Sequence, residues 1–211
     1  IFDLDNTIYP AEINLFRRVS VRITKFVAGH YNVPTEDARV IQKDLFYRYG
    51  TTMRGMMSEE NIQPDVYLSY VHDIDVSDLS YDEELDEMLS WLPGRKHIFT
   101  NGTVPHAENI LSAYGVGQHF DQIFDIVAAN YIPKPEQYAF DLFLNQTGID
   151  PNGAVMIEDM AANLRPAAAL GMHTVWLSSD VEWANRGSDE PFVHYKADNL
   201  KGFLRSLRVA D

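Results

Sequence analysis

The sequence predicts an α/β protein, a parallel sheet interrupted near its start by an all-helical insertion. Three observations predict it. The chain opens on an apolar run, Ile1 to Leu4, that reads as a buried strand. Residues 11–92 then keep helical periodicity throughout. Beyond residue 92, short apolar runs alternate with helical segments, the pattern of parallel strands joined by right-handed helical crossovers. The sheet domain is therefore expected over residues 1–10 and 93–211, and a helical cap over 11–92.

In chain order, Ile13 to His30 places Leu15, Val19, Ile23, Phe26 and Val27 on one helical face. Pro34 precedes a second helix, Thr35 to Tyr49, with Thr35 as its expected N-cap. Two further helices are expected at Pro64 to His72 and Asp82 to Leu92. Tyr9-Pro10 and Trp91 to Arg95 read as the two linkers. The expected strands are Lys96 to Thr100, Gln122 to Ala128, Ala154 to Glu158 and Thr174 to Leu177, most of them followed by a helix.

At 211 residues and 45% hydrophobic content the chain can bury one good core, or one core plus a small appended domain. It has no cysteine, which excludes disulfides, thiolate zinc sites and cysteine nucleophiles. A formal charge of -14 argues against a nucleic-acid polymer as partner, because such binding needs a basic footprint. No apolar stretch approaches a membrane span in length, and no signal peptide is visible. The default compartment is the cytoplasm, with whatever precedes Ile1 left open.

The chemistry is carried by four clusters, each at an expected strand end, where open α/β sheets hold their ligands. Asp3 and Asp5 stand one residue apart, with Thr7 following. Two acids in one pocket invite a division of labour: one ionised as nucleophile and metal ligand, the other, with a raised pKa, handling the proton. Taken alone, the run also reads as an acidic turn. Thr100-Asn101-Gly102 offers a hydroxyl, an amide and a glycine to phosphoryl oxygens, or is simply a strand-to-helix turn. Lys134 is fixed between Pro133 and Pro135, so its ammonium can be aimed at a charge cluster, or, read in isolation, it is an exposed lysine in a stiff loop. Glu158-Asp159 suits a hard, oxygen-preferring cation, though acids are common at helix starts as well.

In order and spacing, Asp3/Asp5/Thr7, Thr100, Lys134 and Glu158/Asp159 resemble the haloacid dehalogenase superfamily of phosphohydrolases. The resemblance covers nearly the whole chain and implies a Rossmann-like core with the helical cap inserted after the first motif. It implies that Asp3 attacks phosphorus to form an aspartyl-phosphate, and that Asp5 serves as acid and then base. Mg2+ would be held by Asp3, the Asp5 carbonyl and Asp159, with Glu158 binding directly or through water. Thr100, Asn101, Gly102 and Lys134 would hold the phosphoryl group, and Thr7 would orient the loop. Asn163 would orient Asp159 or Lys134, or is a surface-facing amide. Superfamily dehalogenases lack an acid at the Asp5 position, which favours phosphate esters.

The segment Phe46 to Met57 resembles the cap motif of the pyrimidine 5'-nucleotidase branch. That implies base stacking by Tyr49 or Tyr47, base-edge contacts from Thr51 and Thr52, and a phosphate or sugar contact from Arg54. The alternative is a helix corner with Gly50 as its C-cap. His72 reads either as a pocket or hinge residue or as a structural histidine. The expected activity is a magnesium-dependent phosphomonoester hydrolase, a pyrimidine 5'-nucleotidase acting on a small-molecule phosphate ester. The alternatives are a broad sugar-phosphate or pyridoxal-phosphate phosphatase and a phosphomutase.

Overall fold

The computed structural model describes residues 1–179 and 184–208. Its sheet is parallel throughout. Strands β1 (His97–Phe99) and β2 (Gln122–Phe124) pair with each other, and β3 (Val155–Glu158), β4 (His173–Leu177) and β5 (Tyr195–Ala197) pair in that order. The N-terminal segment joins the two halves through Phe2, which bridges Ile98 on one side and Ile157 on the other. Phe2 N donates to His97 O and Asp3 N to Ile157 O, at 2.8 and 3.0 Å. The opening run is thus the central line of the sheet, although it is only bridge-paired.

From that centre the chain builds β1 and β2 outward on one side, then β3, β4 and β5 on the other. The order reverses beside Asp3, which puts a ligand-binding crevice at the carboxyl ends of the N-terminal segment, β1 and β3. Consecutive strand residues enter opposite apolar layers, as the period of two requires. Phe2, Ile98, Ile157 and Val175 pack in one layer, and Ile1, Phe99, Met156 and Trp176 in the other. Both faces are covered by helices, the usual condition of a parallel sheet.

Four helices form the insertion: α1 (Leu15–Tyr31), α2 (Thr35–Tyr49), α3 (Thr52–Glu60) and α4 (Pro64–Val71). They share an apolar cluster of their own, including Val19, Val27, Leu45, Met56 and Leu68, which touches the sheet domain at Ile126. Gly50 ends α2 at φ +83°, a conformation glycine adopts without strain. Gly55 lets α3 lie close against α2, since a Cβ there would stand 2.8 Å from Leu45 Cδ2.

Three expectations need correction. Helix α5 (Glu83–Trp91), assigned by periodicity to the cap, buries Leu85, Met88 and Leu89 in the sheet layer with Phe2 and Ile98. Thr35 is the first residue of α2; Pro34 takes the cap position and supplies no side-chain bond. Strand β2 ends at Phe124, because Asp125 Oδ1 accepts from Ala128 N and closes a turn that stops the strand. The remaining helices are α6 (Val104–Tyr114), α7 (Gln137–Thr147), α8 (Ala161–Ala169) and α9 (Leu200–Arg208).

Candidate active site

Asp3, Thr100, Lys134, Glu158 and Asp159 are buried together at the carboxyl ends of the central strands. Lys134 is the hub. Its ammonium donates to Asp3 Oδ1 at 2.8 Å, to Glu158 Oε1 at 2.6 Å and to Phe99 O at 2.7 Å, which uses all three of its protons. Burial works against the ammonium, but Asp3 and Glu158 outweigh it and hold Lys134 above its usual value. The Asn101 side chain fastens the lysine loop, donating to Lys134 O at 3.2 Å and accepting from Lys134 N at 2.8 Å.

Glu158 is further engaged by Asn163 Nδ2 at 2.7 Å and by Met160 N at 2.9 Å. Asn163 therefore orients Glu158, not Asp159 or Lys134. Asp159 receives Asn6 Nδ2 at 3.2 Å, and Trp176 Nε1 holds its main-chain oxygen at 2.7 Å. Thr7 is buried and its hydroxyl has no partner among the described residues.

Asp3, Glu158 and Asp159 each present a carboxylate oxygen within 4.8 Å of the others. Set against the single Lys134 charge, three buried carboxylates leave a surplus of negative charge, and the donor set is all oxygen. That combination fits a hard divalent cation. The electrostatics agree. Burial and Glu158 raise the Asp3 carboxyl, Lys134 only partly opposes them, and it stands at about 7 against a usual 3.8. Burial, Glu158 and Asp3 push Asp159 well above the carboxylate range.

The Asp5 carboxylate lies outside this cluster. Its Oδ1 accepts from Tyr9 Oη at 2.5 Å and from His106 Nε2 at 3.0 Å. Burial raises the Asp5 carboxyl, but the charge and hydrogen bond of His106 and the bond from Tyr9 more than offset this and leave it below its usual value. The expected order is reversed: Asp3, not Asp5, is the raised carboxyl. Tyr9 is kept a neutral donor, its phenol pushed far up by burial and by Asp5.

Gly102 N donates to Thr100 Oγ1 at 2.9 Å, which leaves the Thr100 hydroxyl proton to point elsewhere. A side chain at residue 102 would crowd the site: a Cβ would lie 3.1 Å from His106 Cδ2 and 3.2 Å from Thr100 Oγ1. Asp125 Oδ2 accepts from Val104 N, and Thr103 caps α6 by accepting from His106 N. That start sets His106 in the first turn, facing Asp5. His72, at the end of α4, stacks on His106 with centroids 4.4 Å apart and planes 15° from parallel. Burial and His106 lower its pKa to about 3, so it is a neutral ring, 3.0 Å from the Thr103 hydroxyl.

The cap residues are engaged mainly with one another. Tyr49 Oη donates to Glu59 at 2.8 Å. Thr51 Oγ1 caps α3 by accepting from Arg54 N, and Thr52 Oγ1 donates to Gln42 O at 3.2 Å. Arg54 crosses to the sheet domain and pairs with Glu136 at 2.7 Å, two residues past Lys134. Sequence reasoning left His106 unremarked and took Tyr9 for a linker. Four-residue spacing from Asp5 was the only signal for Tyr9, and none marked His106, whose contact spans 101 residues.

A family model for haloacid dehalogenase-like hydrolases matches residues 1–171. The chain belongs to this family. The fold of this haloacid dehalogenase-like hydrolase is similar to that of an HAD phosphatase from Thermococcus onnurineus, at 20% identity and TM-score 0.61, covering 99% of this chain and 95% of that one. The putative HAD-hydrolase YfnB from Bacillus subtilis, bound to magnesium, aligns at 16% identity and TM-score 0.61, covering 98% and 96%. An L-2-haloacid dehalogenase from Xanthobacter autotrophicus aligns at 14% identity and TM-score 0.58, also covering 98% and 96%. Among curated proteins, mouse acyl-CoA dehydrogenase family member 10 is 34% identical over 55 residues, 25% of this chain and 5% of that protein. The chain thus spans a small fraction of that relative's length. Phosphatase and dehalogenase share the fold, so the choice between them turns on the site. No helix among the described residues is long and apolar enough to cross a membrane.

Proposed function

We propose that this hydrolase is a magnesium-dependent phosphomonoesterase that works through an aspartyl-phosphate on Asp3. The observation that carries the reading is the second carboxylate, Asp5, held against His106 and Tyr9 beside the Thr100 turn. Halide leaves carbon without a proton, so dehalogenation has no use for an acid there. An alkoxide leaving phosphorus does.

Asp3 attacks phosphorus in line, and the bond from phosphorus to the ester oxygen breaks as Asp5 protonates that oxygen. A phosphate dianion bound nearby raises the Asp5 carboxyl by like-charge repulsion, which offsets its low starting point. Asp5 then takes a proton from the water that hydrolyses the acyl phosphate. Lys134 aims Asp3, and the Thr100 hydroxyl donates to a phosphoryl oxygen. A magnesium ion held by Asp3, Asp159 and the Asp5 carbonyl, with Glu158 at its edge, would offset repulsion between the anionic nucleophile and the anionic ester.

Within phosphate esters, the cap segment's likeness to the pyrimidine 5'-nucleotidase branch favours pyrimidine nucleoside monophosphates. That preference rests on the likeness, since Tyr49, Thr51 and Thr52 are occupied inside the cap. The test is phosphate release from UMP, CMP, purine monophosphates, sugar phosphates and pyridoxal phosphate, with and without magnesium, with Asp3→Asn as control. Magnesium-dependent and Asp3-dependent release is expected, highest on UMP and CMP. Even turnover across the panel would remove the base preference, and release by Asp3→Asn would remove the mechanism.

A further inference from the structure

We propose that His106 is a positioning residue for Asp5: with Tyr9 it clamps Oδ1, so that Oδ2 alone exchanges the proton with the leaving oxygen. The inference rests on the phosphomonoesterase reading above and adds which oxygen works and what aims it. Both donors converge on the same atom, Tyr9 Oη at 2.5 Å and His106 Nε2 at 3.0 Å. A carboxylate only accepts, so Nε2 must carry the imidazole proton. Oδ1, already accepting two hydrogen bonds, is a poor place for a third proton.

Oδ2 borders the space at the turn that ends in Gly102; a Cβ built on Gly102 would lie 3.8 Å from it. Thr100 Oγ1 borders the same space, at 3.2 Å from that position. A phosphoryl group held by Thr100 therefore brings its ester oxygen to Oδ2, not Oδ1. In the first step Oδ2 gives its proton to the ester oxygen as the bond from Asp3 to phosphorus forms and the ester bond breaks. In the second step it accepts a proton from water as water bonds to phosphorus and the Asp3 bond breaks.

The clamp is rigid because His106 is itself fixed. Its backbone starts α6 under the Thr103 cap, its ring is almost fully buried, and His72 of the cap lies flat against the other face. Tyr9 is fully buried as well, so neither donor is free to swing away.

The test separates an aiming role from a merely structural one by leaving group. Phenyl phosphate needs a proton on its departing oxygen; 2,4-dinitrophenyl phosphate leaves as a stable anion and does not. His106→Leu should lower kcat/KM for phenyl phosphate by about 100-fold, the low end of what general acid catalysis contributes, with little change for the dinitrophenyl ester. His106→Gln, whose amide keeps an N–H donor, should recover much of the loss. Tyr9→Phe, which removes one hydroxyl and no volume, should show the same signature more weakly and serves if the leucine variant does not fold. Equal loss on both esters, or none on either, would overturn the proposal. A wild-type protein inactive on both esters would overturn the functional reading and the inference with it.

Discussion

At the scale of single residues, the site is an exercise in neutralising buried charge. Lys134 faces Asp3 and Glu158 with an exposure of only 1% for its own side chain. Breaking a buried ion pair from one side leaves charge without compensation, which typically costs about 3–5 kcal/mol. Lys134→Met should therefore lower unfolding stability by about that amount in the metal-free protein and abolish phosphate release; urea titration and a phosphate assay check the two effects. Asp5→Asn presents the opposite balance. It removes the proton-handling group but retains the shape, so kcat should fall by about 100-fold or more while the protein stays folded. Unchanged kcat in that variant would take away the acid-base role. The acids and the lysine were legible in the sequence because motif spacing and strand ends announce them. Tyr9 and His106 were not, since each matters through one hydrogen bond that only the folded chain brings about.

At the scale of elements, periodicity found the helices but could not say which layer each one joins. Helix α5 has the same amphipathic pattern as the cap helices, yet Leu85, Met88 and Leu89 face the sheet, and Asp82 and Glu84 pair with Lys201 and Arg205 of α9. Its partner is more than a hundred residues away, beyond anything a local pattern encodes. The packing assigns Leu89 to the sheet domain and Leu45 to the cap, and their alanine variants should behave accordingly. Each removes a fully buried leucine and should cost about 2–5 kcal/mol. Hydrogen exchange distinguishes them: Leu89→Ala should speed exchange at β1, whereas Leu45→Ala should speed it in α1 and α2 and leave β1 protected. Accelerated exchange in α1 and α2 alone from Leu89→Ala would return α5 to the cap. The strands were legible in their centres, where Ile98, Phe99, Met156 and Ile157 alternate between layers. β5 was not, because Tyr195-Lys196-Ala197 is polar and mostly exposed, with no apolar run to reveal it.

At the scale of the whole molecule, the cap meets the sheet domain on the loops that carry the chemistry. His72 rests on His106, Arg54 pairs with Glu136 beside the Lys134 loop, Tyr131 Oη donates to Asp65, and Ile126 enters the cap cluster. Cap position and site geometry are thus set together, and both depend on charge in the crevice between them. The metal-free site holds three carboxylates against one ammonium, and the raised Asp3 carboxyl states the consequence for pH. A carboxyl lifted from 3.8 to about 7 binds a proton more tightly in the folded than in the unfolded chain. Its contribution to stability is complete below about pH 4 and is lost as pH rises through 7. A divalent cation supplies the missing positive charge, so it should stabilise the protein most where the proton has gone. At a hundred times its Kd it would add about 2.7 kcal/mol, which in a protein of this size raises Tm by about 5–10 °C. Thermal unfolding with magnesium or with EDTA should show that shift at pH 8 and a much smaller one at pH 5. Asp3→Asn removes both the titrating group and one ligand: its metal-free form should be more stable than wild type at pH 8, and its response to magnesium weak at either pH. Equal magnesium shifts at the two pH values in the wild-type protein would mean that the cation does not bind where the surplus charge lies.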